Sequence, residues 1–209
     1  MPQVDLSRRE RQALRQREDI MEAAVEVFSR KGFHDAGMAE IAELASFGVG
    51  TIYRLFPGGK DHIYQELKRR VLDSFERNLL SRYWAMKDPL QELRLYIAAS
   101  VRAYGDYPRE MIMYLREVAG QGFDFEVGLP QDMRDRFQAC TRLVRRALET
   151  GMAQGRFRPM DLDSALLFLR ATINCFLMRW LDERQTHGLD QVEELITNSF
   201  LHGLSATTH

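Results

Sequence analysis

No segment of this chain alternates apolar and polar residues over the length of a β-strand, whereas apolar residues recur at helical spacing along nearly all of it. That single pattern confines the fold to the all-α class. Glycines and six prolines punctuate the pattern and set the expected helix limits. One helix is expected over 8–31, with Ile20, Ala24, Val27 and Phe28 on one stripe and Gly32 as its stop. Short helices follow over about 38–45 and 49–56, and a long one over 59–86. Asp88, Pro89 and Gln91 have the order of an N-cap, first helical residue and capping-box partner for a helix reaching Asp106. Pro108 opens the next, to Gly120. Further helices are expected from Gln131 to the glycines 151 and 155, from an Asp161 cap to about Gln185, and over 189–203, about nine in all. The glycine-rich segment 120–130 reads as a mobile loop.

With 209 residues the chain is long enough for a small head on a larger body. The three N-terminal elements form the expected head, residues 1–58, and 59–209 the helical body. A net charge of −1 gives no overall attraction to nucleic acid. Locally, Arg8, Arg9, Arg11, Arg15 and Arg17 oppose only Asp5 and Glu10, making a basic arm. The longest apolar stretch, 164–181, is interrupted by Arg170, Asn174 and Arg179, so no membrane span and no membrane partner is expected. Cys140 and Cys175 read as reduced, buried thiols of a cytoplasmic protein, and the five histidines are scattered without metal-ligand spacing. No nucleophile–base constellation stands out, so the expectation is a non-enzymatic chain with no cofactor and no metal.

The stretch FGVGTIYRLFPGGK (47–60) imitates a nucleotide loop without being one. The third glycine of a dinucleotide fingerprint is replaced by Tyr53, and a P-loop would need Gly where Arg54 stands and Ser or Thr at Asp61. Residues 37–56 instead have the pattern of a helix–turn–helix pair, with Ile41, Ala42, Ala45, Ile52 and Phe56 facing inward. The second helix then shows Val49, Thr51, Tyr53 and Arg54 to solvent, with Gly50 beside them. Hydroxyls and an arginine donate to phosphate, and glycine lets a sugar–phosphate backbone come close. Lys60 and the start of the helix after Gly59 add a cation and free amides. The residues alone leave open a structural hairpin with ordinary polar surface.

The string GF…IAELA…GVGTIYRLF…GGKDHIYQEL resembles the DNA-binding head of the tetracycline-repressor (TetR/AcrR) family of bacterial transcription regulators, over about residues 15–68. The resemblance rests on Gly32, Phe33, Ile41, Ala42, Ala45, Gly50, Thr51, Tyr53, Phe56, Lys60 and Ile63 in register. It implies DNA contacts by Arg15, Gly37, Met38, Gly48, Val49, Gly50, Thr51, Tyr53, Arg54 and Lys60. Two positions depart from the family pattern: Ala36-Gly37 stands at the usual Ser/Thr cap of the second helix, and Ser46-Phe47-Gly48 at the usual Gly-Val-Ser turn. Gly remains an adequate cap, while Ser46 in a left-handed turn position costs about 1 kcal/mol against Gly.

In the body, the helix over 162–181 is apolar nearly all round and needs cover on every side. A symmetric four-helix interface between two copies would supply it, with Leu166, Leu169, Ile173, Phe176, Trp180, Val192, Ile196 and Phe200 as the expected contact residues. The family resemblance implies the same homodimer. Tyr96, Met113, Tyr114, Phe137, Phe168 and Asn174 are expected to line a pocket for a small apolar or amphipathic effector, together with Phe123 and Phe125; Arg116 and Arg170 are further polar handles. Each of these residues also fits plain core. The expected activity is a ligand-responsive, DNA-binding repressor acting on a palindromic operator. An all-helical lipophilic-ligand carrier or adaptor, with a head that does not bind DNA, is the alternative.

Overall fold

The computed structural model describes residues 7–120, 126, 128–182 and 188–204. Of the expected loop 120–130, residues 121–125 and 127, with Phe123 and Phe125, lie outside the described residues. The described elements are all helices: α1 (Arg8–Lys31), α2 (Met38–Leu44), α3 (Val49–Leu55), α4 (Gly59–Tyr83), α5 (Pro89–Asp106), α6 (Pro108–Gly120), α7 (Gln131–Ala153), α8 (Leu162–Asp182) and α9 (Leu189–Leu204). Local chemistry sets their ends. Ser7 and Glu10 close a capping box on α1, the Glu10 amide donating to Ser7 Oγ (3.3 Å) and the Ser7 amide to Glu10 Oε2 (2.8 Å). Gly32 (φ 83) ends that helix, its amide bonded to Phe28 O at 2.8 Å. Asp88 caps α5 by accepting from the Leu90 amide. Asp161 caps α8 by accepting from the Ser164 amide at 2.8 Å, and that bond holds its carboxyl below the usual carboxylate range.

The turn between α2 and α3 is a Schellman motif built on serine. Phe47 N–H bonds Ala42 O (2.9 Å) and Ser46 N–H bonds Glu43 O (3.1 Å), with Ser46 at φ 57. The expected left-handed position is therefore filled by a residue with a Cβ.

Packing divides the chain into two compact units, residues 1–69 with 109–127 and residues 70–108 with 128–209. The division departs from the expected boundary after residue 58. The start of α4 contributes Ile63, Tyr64 and Leu67 to the core of the first unit, and α6 contributes Met113. There they join Ile20, Val27, Phe28, Ile41, Ile52 and Phe56. Each fully buried aliphatic or phenyl side chain contributes about 1.5–3 kcal/mol. An inner polar group ties α4 to α6 within this unit: Lys68 Nζ lies 2.7 Å from Glu117 Oε2, and Tyr64 Oη donates to the same oxygen at 2.7 Å. Burial pushes the Lys68 ammonium below the usual lysine range, and burial with Glu117 pushes the Tyr64 phenol up.

The second unit packs α5, α7, α8, α9 and the rest of α4 around Leu79, Leu93, Ile97, Met133, Leu148, Leu169, Leu177, Ile196 and Phe200. By length and mean hydropathy (1.2) alone, α8 would pass for a membrane span. Leu166, Leu169, Ile173 and Leu177 are nonetheless buried inside the unit, and Asn174 accepts from Tyr104 Oη there. Its apolar character is accounted for on that side by core packing.

Replacing Ser46 by Gly should raise stability by about 1 kcal/mol, because only the serine Cβ is strained at that φ. Urea denaturation followed by circular dichroism checks this; an unchanged or lowered midpoint would contradict it.

Candidate nucleic-acid interface

α3 is seven residues long and α2 likewise, too short to be helical in water alone. Ile52 and Phe56 of the α3 segment and Ile41 and Ala42 of α2 are buried against α1 and the first turns of α4, which fixes which face of α3 turns outward. That face carries Val49, Gly50, Tyr53 and Arg54, all exposed, with Thr51 half-buried; Tyr53 is 48% exposed. A Cβ on Gly50 would meet nothing within 4 Å, so an approaching backbone has open room there. The Tyr53 ring rests on Gly59 (φ 59), where a Cβ would lie 3.0 Å from the ring edge. Glycine at 59 thus meets two demands at once. Gly37 and Gly48 stand exposed at the N-caps of α2 and α3 and supply no side-chain cap. Met38 is half-buried against the core, and Arg15 is exposed on α1.

Lys60 is the exception. Its ammonium donates to Phe33 O (2.8 Å), His34 O (3.1 Å) and Ala36 O (3.1 Å) and sits 4.6 Å above the Phe33 ring. All three donors are engaged by the turn between α1 and α2, so the side chain expected to meet a phosphate serves here as a structural tether. One residue that sequence reading left in the basic arm has a local role: Arg17 donates to Leu55 O and covers the Phe56 ring at 4.2 Å. No local pattern could reveal it, since the partner lies 38 residues away.

The residues expected to form an effector pocket fall in both compact units. Met113 is in the core of the first unit, and Tyr114 belongs to that unit too, its ring 6.0 Å from Lys68 Nζ. Arg116 also serves the first unit, donating to Ser29 O. In the second unit, Tyr96 packs edge-on to Phe75 (5.3 Å), Arg170 lies over Phe137 (5.0 Å), and Arg170 Nη2 donates to Thr141 Oγ1 at 2.6 Å. Asn174 is paired in the core with Tyr104. Phe168 faces outward, 44% exposed and stacked on Phe200 at 5.6 Å. A cleft of about 140 Å³ in this unit is lined instead by Asn78, Arg82, Leu95, Arg102, Asp190 and Glu193, none of them an expected pocket residue. Burial and the neighbouring Asp190 raise the Glu193 carboxyl above its ordinary value.

The residues expected at a dimer interface lie mostly inward. Leu166, Leu169, Ile173, Trp180, Val192, Ile196 and Phe200 are buried within their own unit, and Phe176 is half-buried. The surplus apolar face of α8 and α9 lies elsewhere, at Leu167 (62% exposed), Phe168, Ala171, Cys175 and Met178, with Leu195 (51%) on α9. α8 has no polar face to mark its outside, so its helical period shows in the sequence and its phase does not. Among the described residues no group of three or more metal-ligating side chains occurs.

A helix–turn–helix head with an outward second helix, joined to an all-helical body, defines the class of DNA-binding transcription regulators. Residues 20–67 match the model of the bacterial regulatory proteins of the tetR family. The HTH-type transcriptional repressor NicS of Pseudomonas putida is 29% identical over 150 residues, 72% of this chain and 69% of that protein. Two solved structures share the fold. The ketosteroid transcriptional regulator KstR2 of Mycobacterium tuberculosis has a TM-score of 0.74 at 24% identity, covering 91% of this chain and 95% of that one. The fatty acid degradation regulator FadR of Bacillus halodurans has a TM-score of 0.69 at 20% identity, covering 90% and 98%. Residues 20–67 thus match the segment that defines the tetR family, and over most of its length the chain is similar to transcription regulators of that family.

Lys60→Met should lower the stability of the head by about 1–2 kcal/mol, since three carbonyls lose a charged donor. A thermal melt checks this; an unchanged midpoint would return Lys60 to the set of free cations.

Proposed function

We propose that the chain is a repressor that binds a palindromic operator as a homodimer and releases it when a small apolar or amphipathic effector occupies the second unit. The observation that carries this reading is the outward face of α3, with Tyr53 and Arg54 exposed on a helix whose other face is locked into the core. Arg15, Gly37, Met38, Gly48, Val49, Gly50, Thr51, Tyr53 and Arg54 are the proposed contacts. Phosphate contacts fix the register, and groups on the first turn of α3 read base edges in the major groove. Two such heads one helical turn apart, about 34 Å, would meet successive major grooves.

The second copy would dock on the exposed face of α8 and α9, since Leu167, Phe168 and Leu195 form an apolar surface that water covers poorly. An effector with unequal affinity for two dimer geometries would change the spacing of the heads, and DNA affinity would change by that difference. The names of the KstR2 and FadR structures, a ketosteroid regulator and a regulator of fatty acid degradation, support an apolar effector for this chain. Tyr96, Phe137, Arg170 and Asn174 remain the proposed side chains nearest to it. The reading places the protein in the cytoplasm, with DNA and a small molecule as partners.

Three outcomes test the proposal. A duplex selected from a random library by the wild-type protein should be shifted in gels, and Tyr53→Ala should weaken that binding at least tenfold without changing the thermal midpoint. Affinity should also fall steeply between about 50 and 200 mM salt; equal binding by the variant, or a flat salt response, would refute the interface. Separately, Leu167→Glu with Leu195→Glu should sediment as a folded monomer where the wild type sediments as a dimer. A dimer in the variant would contradict the proposed face.

A further inference from the structure

The N-terminal end of α3 has no side-chain cap, so the orientation of this seven-residue helix depends on how its other end is held. Beside the burial of Ile52 and Phe56, one side chain holds that end. Arg17, from α1, donates through Nη1 to Leu55 O, one of the carbonyls that a helix C-terminus leaves without an intrahelical partner. The same guanidinium lies 4.2 Å above the Phe56 ring, and its Nη2 stands 3.5 Å from Glu66 Oε2 on α4. His62 completes the group, its Nε2 3.8 Å from Glu66 Oε1 and its ring edge-on to Phe56 at 5.5 Å. A single flat cation therefore joins α1, the end of α3 and α4.

Only a guanidinium has donors in a planar fork together with a flat face that stacks on a ring; an ammonium has neither the fork nor the flat face. The hydrogen bond and the ring contact fix Leu55 and Phe56, which immediately follow Tyr53 and Arg54. A shift of the clamp would tilt the outward face of α3. Base-edge contacts depend steeply on such a tilt, whereas the general attraction of the basic surface to phosphates does not.

We propose that Arg17 is a positioning residue for sequence recognition: held by Glu66 and Phe56, it sets the angle at which α3 presents its outward face to DNA. The inference rests on the reading of α3 as the DNA-contacting helix.

The test uses the full chain, a duplex selected by the wild type from a random library, and a scrambled duplex of equal length. Affinities for both are measured between about 50 and 200 mM salt, with thermal midpoints, for wild type, Arg17→Ala, Arg17→Lys and Glu66→Gln. Arg17→Ala should weaken binding to the selected duplex at least tenfold and to the scrambled duplex by less than twofold, with an unchanged salt slope. Arg17→Lys, which keeps the charge, should lose discrimination in the same direction, and Glu66→Gln should do so to a lesser extent. Should Arg17→Ala not fold, the other two variants carry the test. Equal losses on both duplexes, with a salt slope smaller by about one, would make Arg17 a direct phosphate contact and overturn the proposal. Unchanged discrimination in folded variants would reduce the clamp to a stability element and overturn it too. A wild type that selects no duplex at all would instead defeat the regulator reading itself, and this inference with it.

Discussion

Two seven-residue helices cannot persist in water, and the head exists because Ile41, Ala42, Ile52 and Phe56 are buried against α1 and the start of α4. That burial decides more than stability. With one face of α3 fixed inward, the residues left outside are Val49, Gly50, Tyr53 and Arg54, a set suited to a sugar–phosphate backbone and the groove beside it. Phe28, Phe33 and Tyr64 extend the same core, with the Phe33 and Tyr64 ring centroids 4.5 Å apart and those of Phe28 and Tyr64 at 5.5 Å. Function at the surface is a consequence of which side chains the interior claims.

Three cations of the first unit are spent inward. Lys60 gathers three carbonyls of the turn before α2, Arg17 holds the end of α3, and Lys68 pairs with Glu117 while its own ammonium lies 4.6 Å over Tyr64. Each replaces lost water with carbonyl, carboxylate or ring partners, as a buried charge requires. A basic residue in a DNA-binding head is thus no guarantee of a phosphate contact. The free positive charge lies instead along the start of α1, where Arg8, Arg9 and Arg15 are exposed.

Much of the fold was legible from residues. Helical spacing gave the class, and Gly32, Asp88, Pro89 and Asp161 marked helix ends that the structure reproduces. The left-handed Ser46 followed from the family turn pattern. The capping box of Ser7 and Glu10 is equally local, since Ser-Arg-Arg-Glu is its sequence signature. Other features lie beyond local pattern. Lys60 and Arg17 reach partners 24–27 and 38 residues away, and a side chain long enough to reach DNA is long enough to reach a carbonyl. Met113 belongs with the first unit because α6 returns to it, a tertiary fact with no local trace. On α8, apolar residues all round left the phase ambiguous, and the regular stripe through Leu166 and Ile173 is the core side.

The central claim is that this core aims α3 at duplex DNA. Hydroxyl-radical footprinting of the full-length protein on a duplex it selects tests that claim most directly. Two protected patches on one side of the duplex, about one helical turn apart, are what the account requires. Cleavage unaltered along both strands, or protection spread evenly around the duplex, would contradict it.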